Sequence, residues 1–450
     1  MAGKLEEEIL KKIRPSAQEE EQVKKFAGNL LRVAKTVSGL GCSICGSIGK
    51  FTWLRGDHDI DLFIVFPKTT SRDELEEKGL EFGKKIVSEM RGGYILKYAE
   101  HPYVHASIDG YTVDIVPCYR IKKGEPIISA VDRSLLHLEY VLESLDEKKR
   151  DEVRLLKQFC KGISVYGSDA RHLGFSGYIC ELLVIKFGGF MKVLKEAAKW
   201  AAPKLITFDG SAGGSAKNFG EPFVIVDPAD RKRNVAANLS GENFIKFVSK
   251  CRQFLKEPSE TYFFPKHRSL SDEEIKELKD RGTVIFAIVM EKPNIIDDIL
   301  YPQLRKTIDR IETQLKQNEF VVDRSYEYVK DRIALFFELG IWDLPSTKKM
   351  TGPKISSRKH AAEFKSKYKN AYVEGQLWMA DKKRDFRKAS EFVKDFLAKD
   401  RDYLVSRGIP ENIAGLFLKA RFLQGEEFWE FVRENEGFSA FLMEKYFEKL

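Results

Sequence analysis

The chain has no apolar run of about 18 residues, so it offers no helix able to span a bilayer. Cysteine is sparse: Cys42, Cys45, Cys118, Cys160, Cys180 and Cys251 are the six in 450 residues. Scattered through a large chain, they argue against a disulfide framework and for reduced thiols in a cytosol. Cys42-Ser43-Ile44-Cys45 spells C-x-x-C, but no second pair completes a zinc site, so both read as small core residues leading into a turn. No low-complexity tract dominates, and 43% hydrophobic residues suffice for ordinary packed cores. Residues 1–12 are charged and lack an apolar signal core, so secretion is not expected; a cytoplasmic location with no membrane partner is.

The length allows about two to four domains. A net charge of +8 is a mild hint of a polyanionic partner, but its distribution is informative. Residues 346–388 hold thirteen Lys and Arg against four Asp and Glu, leaving the rest of the chain close to neutral. Phe364, Tyr368, Tyr372, Trp378 and Phe386 are interleaved with these charges. Lys348, Lys349, Arg358 and Lys359 are the candidate phosphate contacts, while most of the five rings are expected in the core.

Periodicity organises the rest. Residues 19–40 and 71–90 repeat apolar positions at three and four and read as helices. Residues 62–66, 94–98, 104–108 and 111–116 read as strands, with Asp109-Gly110 as a hairpin turn. This is a mixed sheet with helices packed on it. Residues 144–205 read as helical, followed by the glycine-rich Gly210-Ser211-Ala212-Gly213-Gly214-Ser215, a short strand at 223–226 and a helix at 243–255. Prolines and serines across 257–272 mark a boundary. Beyond it lies an α+β unit, with strands at 283–290, 326–339 and 372–381, helices at 301–317, 358–367 and 389–399, and a helical tail over 413–450. The expected domains are 1–143, 144–260 and 261–450.

The chemistry concentrates in Gly46-Ser47-Ile48-Gly49-Lys50 and, with eleven residues between it and Ser47, Asp59-Ile60-Asp61. On a strand, residues i and i+2 share a face, so Asp59 and Asp61 project side by side. Two like charges so close repel unless a cation lies between them. Hard oxygen ligands beside a phosphate site favour Mg²⁺. Gly46 lets backbone amides approach a ligand, Ser47 adds a hydroxyl donor and Lys50 a point charge. Asp114 sits inside an apolar strand, where a carboxylate is costly unless compensated; joining Asp59 and Asp61 at one cation would compensate it.

Gly-Ser, about ten residues, Asp-x-Asp, then a third carboxylate on a later strand resembles the signature of the polymerase-β-like nucleotidyltransferase superfamily. Surrounding words narrow the resemblance: Thr52-Trp53-Leu54-x-Gly56, Tyr98-Ala99-Glu100-His101-Pro102-Tyr103-Val104-His105, Val113-Asp114-Ile115-Val116-Pro117-Cys118-Tyr119, Gly174-Phe175-Ser176-Gly177-Tyr178 and Arg233-Asn234-Val235-Ala236-Ala237-Asn238-Leu239-Ser240 are similar to the archaeal-type (class I) CCA-adding enzymes. The resemblance covers residues 20–330 densely and the basic region only in general character. It implies an α+β multidomain protein: a nucleotidyltransferase head with a mixed sheet, a helical neck, and a C-terminal α+β RNA-binding body with a helical tail. It further implies that Asp59, Asp61 and Asp114 hold two Mg²⁺ ions, and that Gly46, Ser47 and Lys50 face the phosphates of ATP or CTP. His137, Lys157 and Tyr166 map onto nucleotide-contacting positions, and Arg233 onto a base-reading one. The implied activity is template-independent CCA addition to tRNA 3′ ends with release of pyrophosphate, the partner being the tRNA acceptor stem and 3′ end. Association into a homodimer is left open. The chain departs from the family's usual pattern in carrying Lys rather than Arg at 50 and Asp rather than Glu at 59; both keep the charge. A poly(A) polymerase shares such a metal site and differs in its product, whereas an RNA-binding protein on a retired catalytic fold would have lost a carboxylate.

Overall fold

The structure, a computed structural model, describes residues 2–98, 100–208 and 220–448. The glycine-rich segment at 210–215 lies outside these residues. The chain divides into two compact units, one up to Lys266 and the other from His267. Among the described residues no helix is long and apolar enough to cross a membrane.

The first unit begins with α1 (Ala2–Ile13) and α2 (Ala17–Ser38). The charged N-terminal segment, read only as lacking a signal core, is helical over Ala2–Ile13 and buries Ile9 and Ile13. Next come β1 (Gly41–Ile44), the one-turn α3 (Gly46–Gly49), β2 (Asp59–Phe66), α4 (Arg72–Glu89), β3 (Gly93–Tyr98), β4 (Pro102–Ile108) and β5 (Tyr111–Tyr119). These strands form one sheet in the order β1-β2-β5-β4-β3, with β2 and β5 parallel and the other pairs antiparallel. The β4–β5 turn is the expected Asp109-Gly110, both at positive φ. Leu62, Ile64, Val104, Val113 and Ile115 form the floor of the core, against Leu30 and Ala34 of α2 and Leu75 and Ile86 of α4.

Helices then dominate: α5 (Arg133–Ser144), α6 (Glu147–Gly162), α7 (Gly177–Phe187), α8 (Phe190–Ala197) and, after two three-residue strands, α9 (Gly241–Lys256). Local chemistry starts them. Asp146 caps α6 through Lys149 N–H, Ser176 caps α7 through Ile179 N–H, and Gly188 ends α7 at φ +83°. Their core is aromatic, with Phe159 edge-on to Phe190, Phe247 and Phe254. The helical reading of 144–205 overruns, because β6 (Lys204–Ile206) pairs in parallel with β7 (Phe223–Ile225).

The second unit holds α10 (Asp272–Lys279), β8 (Val284–Glu291), α11 (Asp297–Gln317), β9 (Val321–Val329), β10 (Arg332–Ile341), β11 (Thr347–Lys354), α12 (Arg358–Lys367), β12 (Tyr372–Glu374), β13 (Leu377–Lys383), α13 (Ala389–Leu397), α14 (Arg401–Ser406), α15 (Glu411–Phe417), β14 (Arg421–Gln424), α16 (Glu426–Glu434) and α17 (Glu436–Phe447). Its main sheet runs β14-β8-β10-β9 and a smaller one β11-β13-β12. Several expectations are corrected here. The single strand at 326–339 is two, β9 and β10, turning at Lys330-Asp331 without the Gly, Asn or Pro that usually mark a turn. The strand at 372–381 is a hairpin folded at Gly375, φ +56°. The tail is not wholly helical, because β14 adds to the edge of β8. The five aromatics of the basic region are not buried: Tyr372 is exposed and the others are half-buried. Phe364 pairs with Tyr368, Trp378 lies under the Lys365 ammonium, and only Phe386 packs on the main core. A three-stranded sheet with one ten-residue helix against it cannot enclose large rings.

Candidate active site

The parallel register of β2 and β5 sets Asp61 opposite Asp114 and Asp59 opposite Thr112. Alternation along β2 keeps Asp59 on the same face as Asp61, so the three carboxylates lie on one face of the β2–β5 pair. The β1–α3 turn comes directly against them. Cys45 N–H donates to the Asp61 carbonyl at 2.8 Å, which seats Gly46 over the Asp61 side chain. A Cβ built on Gly46 would stand 1.8 Å from Asp61 Oδ2, and Gly46 itself has φ +61°. Only glycine meets both demands. Ser47 follows on the same turn, half-buried.

Electrostatics agree with this crowding. Burial, then the Asp114 charge and to a smaller degree Asp59, outweigh Lys50 and push the Asp61 carboxyl up to about 6. Like charges gathered on one sheet edge are under-neutralised, and a divalent cation would reverse the shift. Among the described residues no three His, Cys, Asp or Glu side chains are already placed together to hold a metal ion. The carboxylates are neighbours by register, with the all-oxygen donor chemistry that Mg²⁺ takes. His105, opposite Asp114 on β4, turns its Nδ1 to Asp114 Oδ1 at 2.5 Å and orients that carboxylate.

Beside this edge lies a buried ionic network. Lys50 Nζ reaches Glu181 Oε2 of α7 at 2.9 Å, and Lys157 Nζ of α6 reaches Glu181 Oε1 at 3.3 Å. The Thr52 hydroxyl donates to Glu181 Oε1 at 2.6 Å and accepts from Lys157 at 2.9 Å. Burial would raise the Glu181 carboxyl, but Lys50 and Lys157 hold it below its ordinary value; burial lowers Lys157. Lys157 and Arg154 of α6 also bind the carbonyls of Thr52, Phe51 and Trp53, tying the loop after α3 to the helices.

A second cluster centres on Asp227. His137 Nε2 donates to Asp227 Oδ2 at 2.9 Å, Arg233 Nη1 to the same oxygen at 2.8 Å, and Tyr178 O–H to Oδ1 at 3.3 Å. Burial would raise Asp227, but His137, the Ala229 N–H and Arg233 hold it at about 2. The Tyr178 ring stacks on His137 at 3.9 Å and receives the Lys50 ammonium at 4.7 Å, which joins the two clusters. Tyr166 and Lys157 flank Gly177 at the start of α7, where an added Cβ would be 3.1 Å from the Tyr166 hydroxyl.

Of the residues expected at the site, the carboxylates, Gly46 and Ser47 therefore share one edge, with Lys50 just after α3, and Tyr166, His137 and Arg233 lie among the helices and loops that follow; Lys157, expected to contact nucleotide, is instead 2% exposed and donates to Thr52 and Glu181. Lys348, Lys349, Arg358 and Lys359 belong to the second unit. There Lys348 and Lys349 pair with Glu319 and Glu374, while Arg358 and Lys359 are exposed on α12. Sequence reasoning missed His105, Tyr178, Glu181 and Asp227. A signal existed for Glu181, a carboxylate in the apolar run Ile179-Cys180-Glu181-Leu182-Leu183-Val184.

Comparison with known proteins bears on this arrangement. A nucleotidyltransferase domain family matches residues 33–137, the second domain of tRNA nucleotidyltransferases matches 151–264, and the C-terminal domain of CCA-adding enzymes matches 281–406. The chain is 40% identical over 400 residues to a CCA-adding enzyme of Methanothermobacter thermautotrophicus, covering 87% of each chain. It is 38% identical to one from Methanocaldococcus jannaschii, covering 87% of this chain and 89% of the relative. A third, from Archaeoglobus fulgidus, is 36% identical over 434 residues, covering 95% and 96%.

Proposed function

The chain belongs to the CCA-adding enzymes, and on that premise we propose that Asp59, Asp61 and Asp114 are the carboxylates through which it extends tRNA 3′ ends. The activity is that of a tRNA nucleotidyltransferase, adding C, C and A from CTP and ATP without a template. The observation that carries the site assignment is the register setting Asp61 against Asp114, with Asp59 on the same face.

Two Mg²⁺ ions held by these carboxylates would supply activation of the tRNA 3′-hydroxyl and charge neutralisation of the triphosphate and leaving pyrophosphate. The chain's own residues do the rest. Asp114, oriented by His105, is the candidate to draw the hydroxyl proton. Gly46 leaves room for Asp61 and lets Ser47 and the turn amides approach phosphate. Lys50 offers the nearest buried positive charge. Tyr166, His137 and Arg233 hold the sugar and base, with Arg233 presenting donors to Watson–Crick edges, while Lys157, its donors spent on Thr52 and Glu181, braces the loop after α3. A pocket built on such donors rejects the wrong base because its polar groups would be left unpaired. Residues 1–143 then serve as catalytic head, 144–260 as nucleotide-recognition neck and 261–450 as tRNA-binding body and tail, in a cytoplasmic protein. The basic segment bearing Lys348, Lys349, Arg358 and Lys359 is assigned to the tRNA backbone of the acceptor stem.

The test is to incubate tRNA lacking CCA with Mg²⁺, CTP and ATP and to sequence the new 3′ end. Terminal CCA is expected, whereas a run of A from ATP alone would mark a poly(A) polymerase. Asp61→Ala should abolish transfer and leave tRNA binding nearly intact; full activity in that variant would end the assignment.

A further inference from the structure

Lys50 and Lys157 come from different elements and converge on one carboxylate. The side chains of Lys50, Glu181 and Lys157 are 8%, 2% and 2% exposed. Two ammonium groups on one carboxylate leave an excess positive charge in a dry space, which is costly until an anion completes it. The two lysines are not equivalent. Lys157 Nζ uses all three donors, on the Thr52 carbonyl, the Thr52 hydroxyl and Glu181. Lys50 Nζ donates to Glu181 alone, and its remaining N–H bonds have no partner among the described residues. Lys50 ends the turn that seats Gly46 over Asp61, its N–H donating to the Gly46 carbonyl at 3.3 Å, and it abuts the Tyr178 ring that leads to His137 and Asp227. The unspent donors thus lie on the lysine facing the carboxylate edge.

We propose that Glu181 is a positioning residue for nucleotidyl transfer: it tethers the Lys50 ammonium beside the Asp59, Asp61 and Asp114 edge, ready for the incoming triphosphate, while Lys157 and Thr52 hold Glu181 in place. This rests on the nucleotidyltransfer reading given above. Glu181 touches no substrate. Its effect runs through Lys50, whose long side chain would otherwise be repelled by Lys157 and lose its fixed position.

The experiment is a double-mutant cycle on full-length protein, read as kcat/KM for CTP with tRNA lacking CCA. Glu181→Gln keeps the shape and removes the charge, and should lower kcat/KM about tenfold, the scale of one charge-assisted hydrogen bond, with the KM for tRNA unchanged. In a Lys50→Met background the same substitution should change kcat/KM less than twofold, because the tethered group is gone. Should Glu181→Gln fail to fold, the pair Glu181→Gln with Lys157→Met removes one buried charge of each sign and should show the same tenfold loss while Lys50 is present. An equal loss in both backgrounds, or kcat/KM unchanged or raised in Glu181→Gln, overturns the tether. Asp61→Ala separates the two claims: a dead Asp61→Ala with an additive Glu181 and Lys50 cycle sinks the tether alone, and an active Asp61→Ala sinks the reading beneath it.

Discussion

Gly46→Ala is the sharpest probe of the site, because the structure states what the methyl group would meet. The new Cβ would fall 1.8 Å from Asp61 Oδ2 and 2.9 Å from Asp61 Cγ. The carboxylate must retreat about 1.6 Å to reach the 3.4 Å where ordinary contact begins. The strand cannot absorb this, since β2 is hydrogen-bonded to β1 on one side and β5 on the other. Alanine at φ +61° adds backbone strain of roughly 1 kcal/mol. Together these should cost about 1–3 kcal/mol of stability, which a folded unit of this size survives. The functional cost is larger, because an ångström-scale displacement of a reacting group lowers rate on the order of 10²-fold. Urea unfolding followed by circular dichroism measures the first quantity, and single-turnover incorporation of labelled CMP into tRNA lacking CCA the second. A variant that unfolds normally and transfers within threefold of the parent would show that Asp61 does not work against Gly46.

Neutralising Lys348, Lys349, Arg358 and Lys359 together should weaken tRNA binding and flatten the slope of log affinity against log salt by roughly 2 to 3, less than four full contacts because Lys348 and Lys349 already share carboxylates; filter binding across a salt series checks it, and an unchanged slope removes the segment from the interface. Asp227 is held at about 2 against an ordinary 3.8, so it adds stability fully present above about pH 4 and lost as pH falls toward 2. At neutral pH that term is about 2 kcal/mol, and the gap in unfolding free energy between the parent and Asp227→Asn should narrow by about 1 kcal/mol from pH 5 to pH 3. A gap that widens on acidification would contradict the ionic hold on His137 and Arg233.

Much of the head was legible because local patterns agree with the fold. The period of α2, the Asp109-Gly110 turn and the apolar runs of β2 and β5 each state their own conformation, and Gly46-Ser47 with Asp59-Ile60-Asp61 states the chemistry. Where punctuation was missing, reading failed. Lys330-Asp331 turns a hairpin on Asp alone, with no Gly, Asn or Pro to mark it, and β14 is a strand only because β8 offers an open edge to a segment lying between helices.

Residue types and spacing determined by themselves that two carboxylates share a strand face and that a third lies on a later strand. Tertiary structure alone decided that Asp61 stands opposite Asp114, that Gly46 must be glycine because that carboxylate occupies its missing side chain, and that Lys50, Lys157 and Glu181, separated by up to 131 positions, form one buried charge group. The division follows from range: backbone preference and side-chain alternation act over a few residues, whereas strand register and the pairing of buried charges are set by whichever distant segments the core brings into contact.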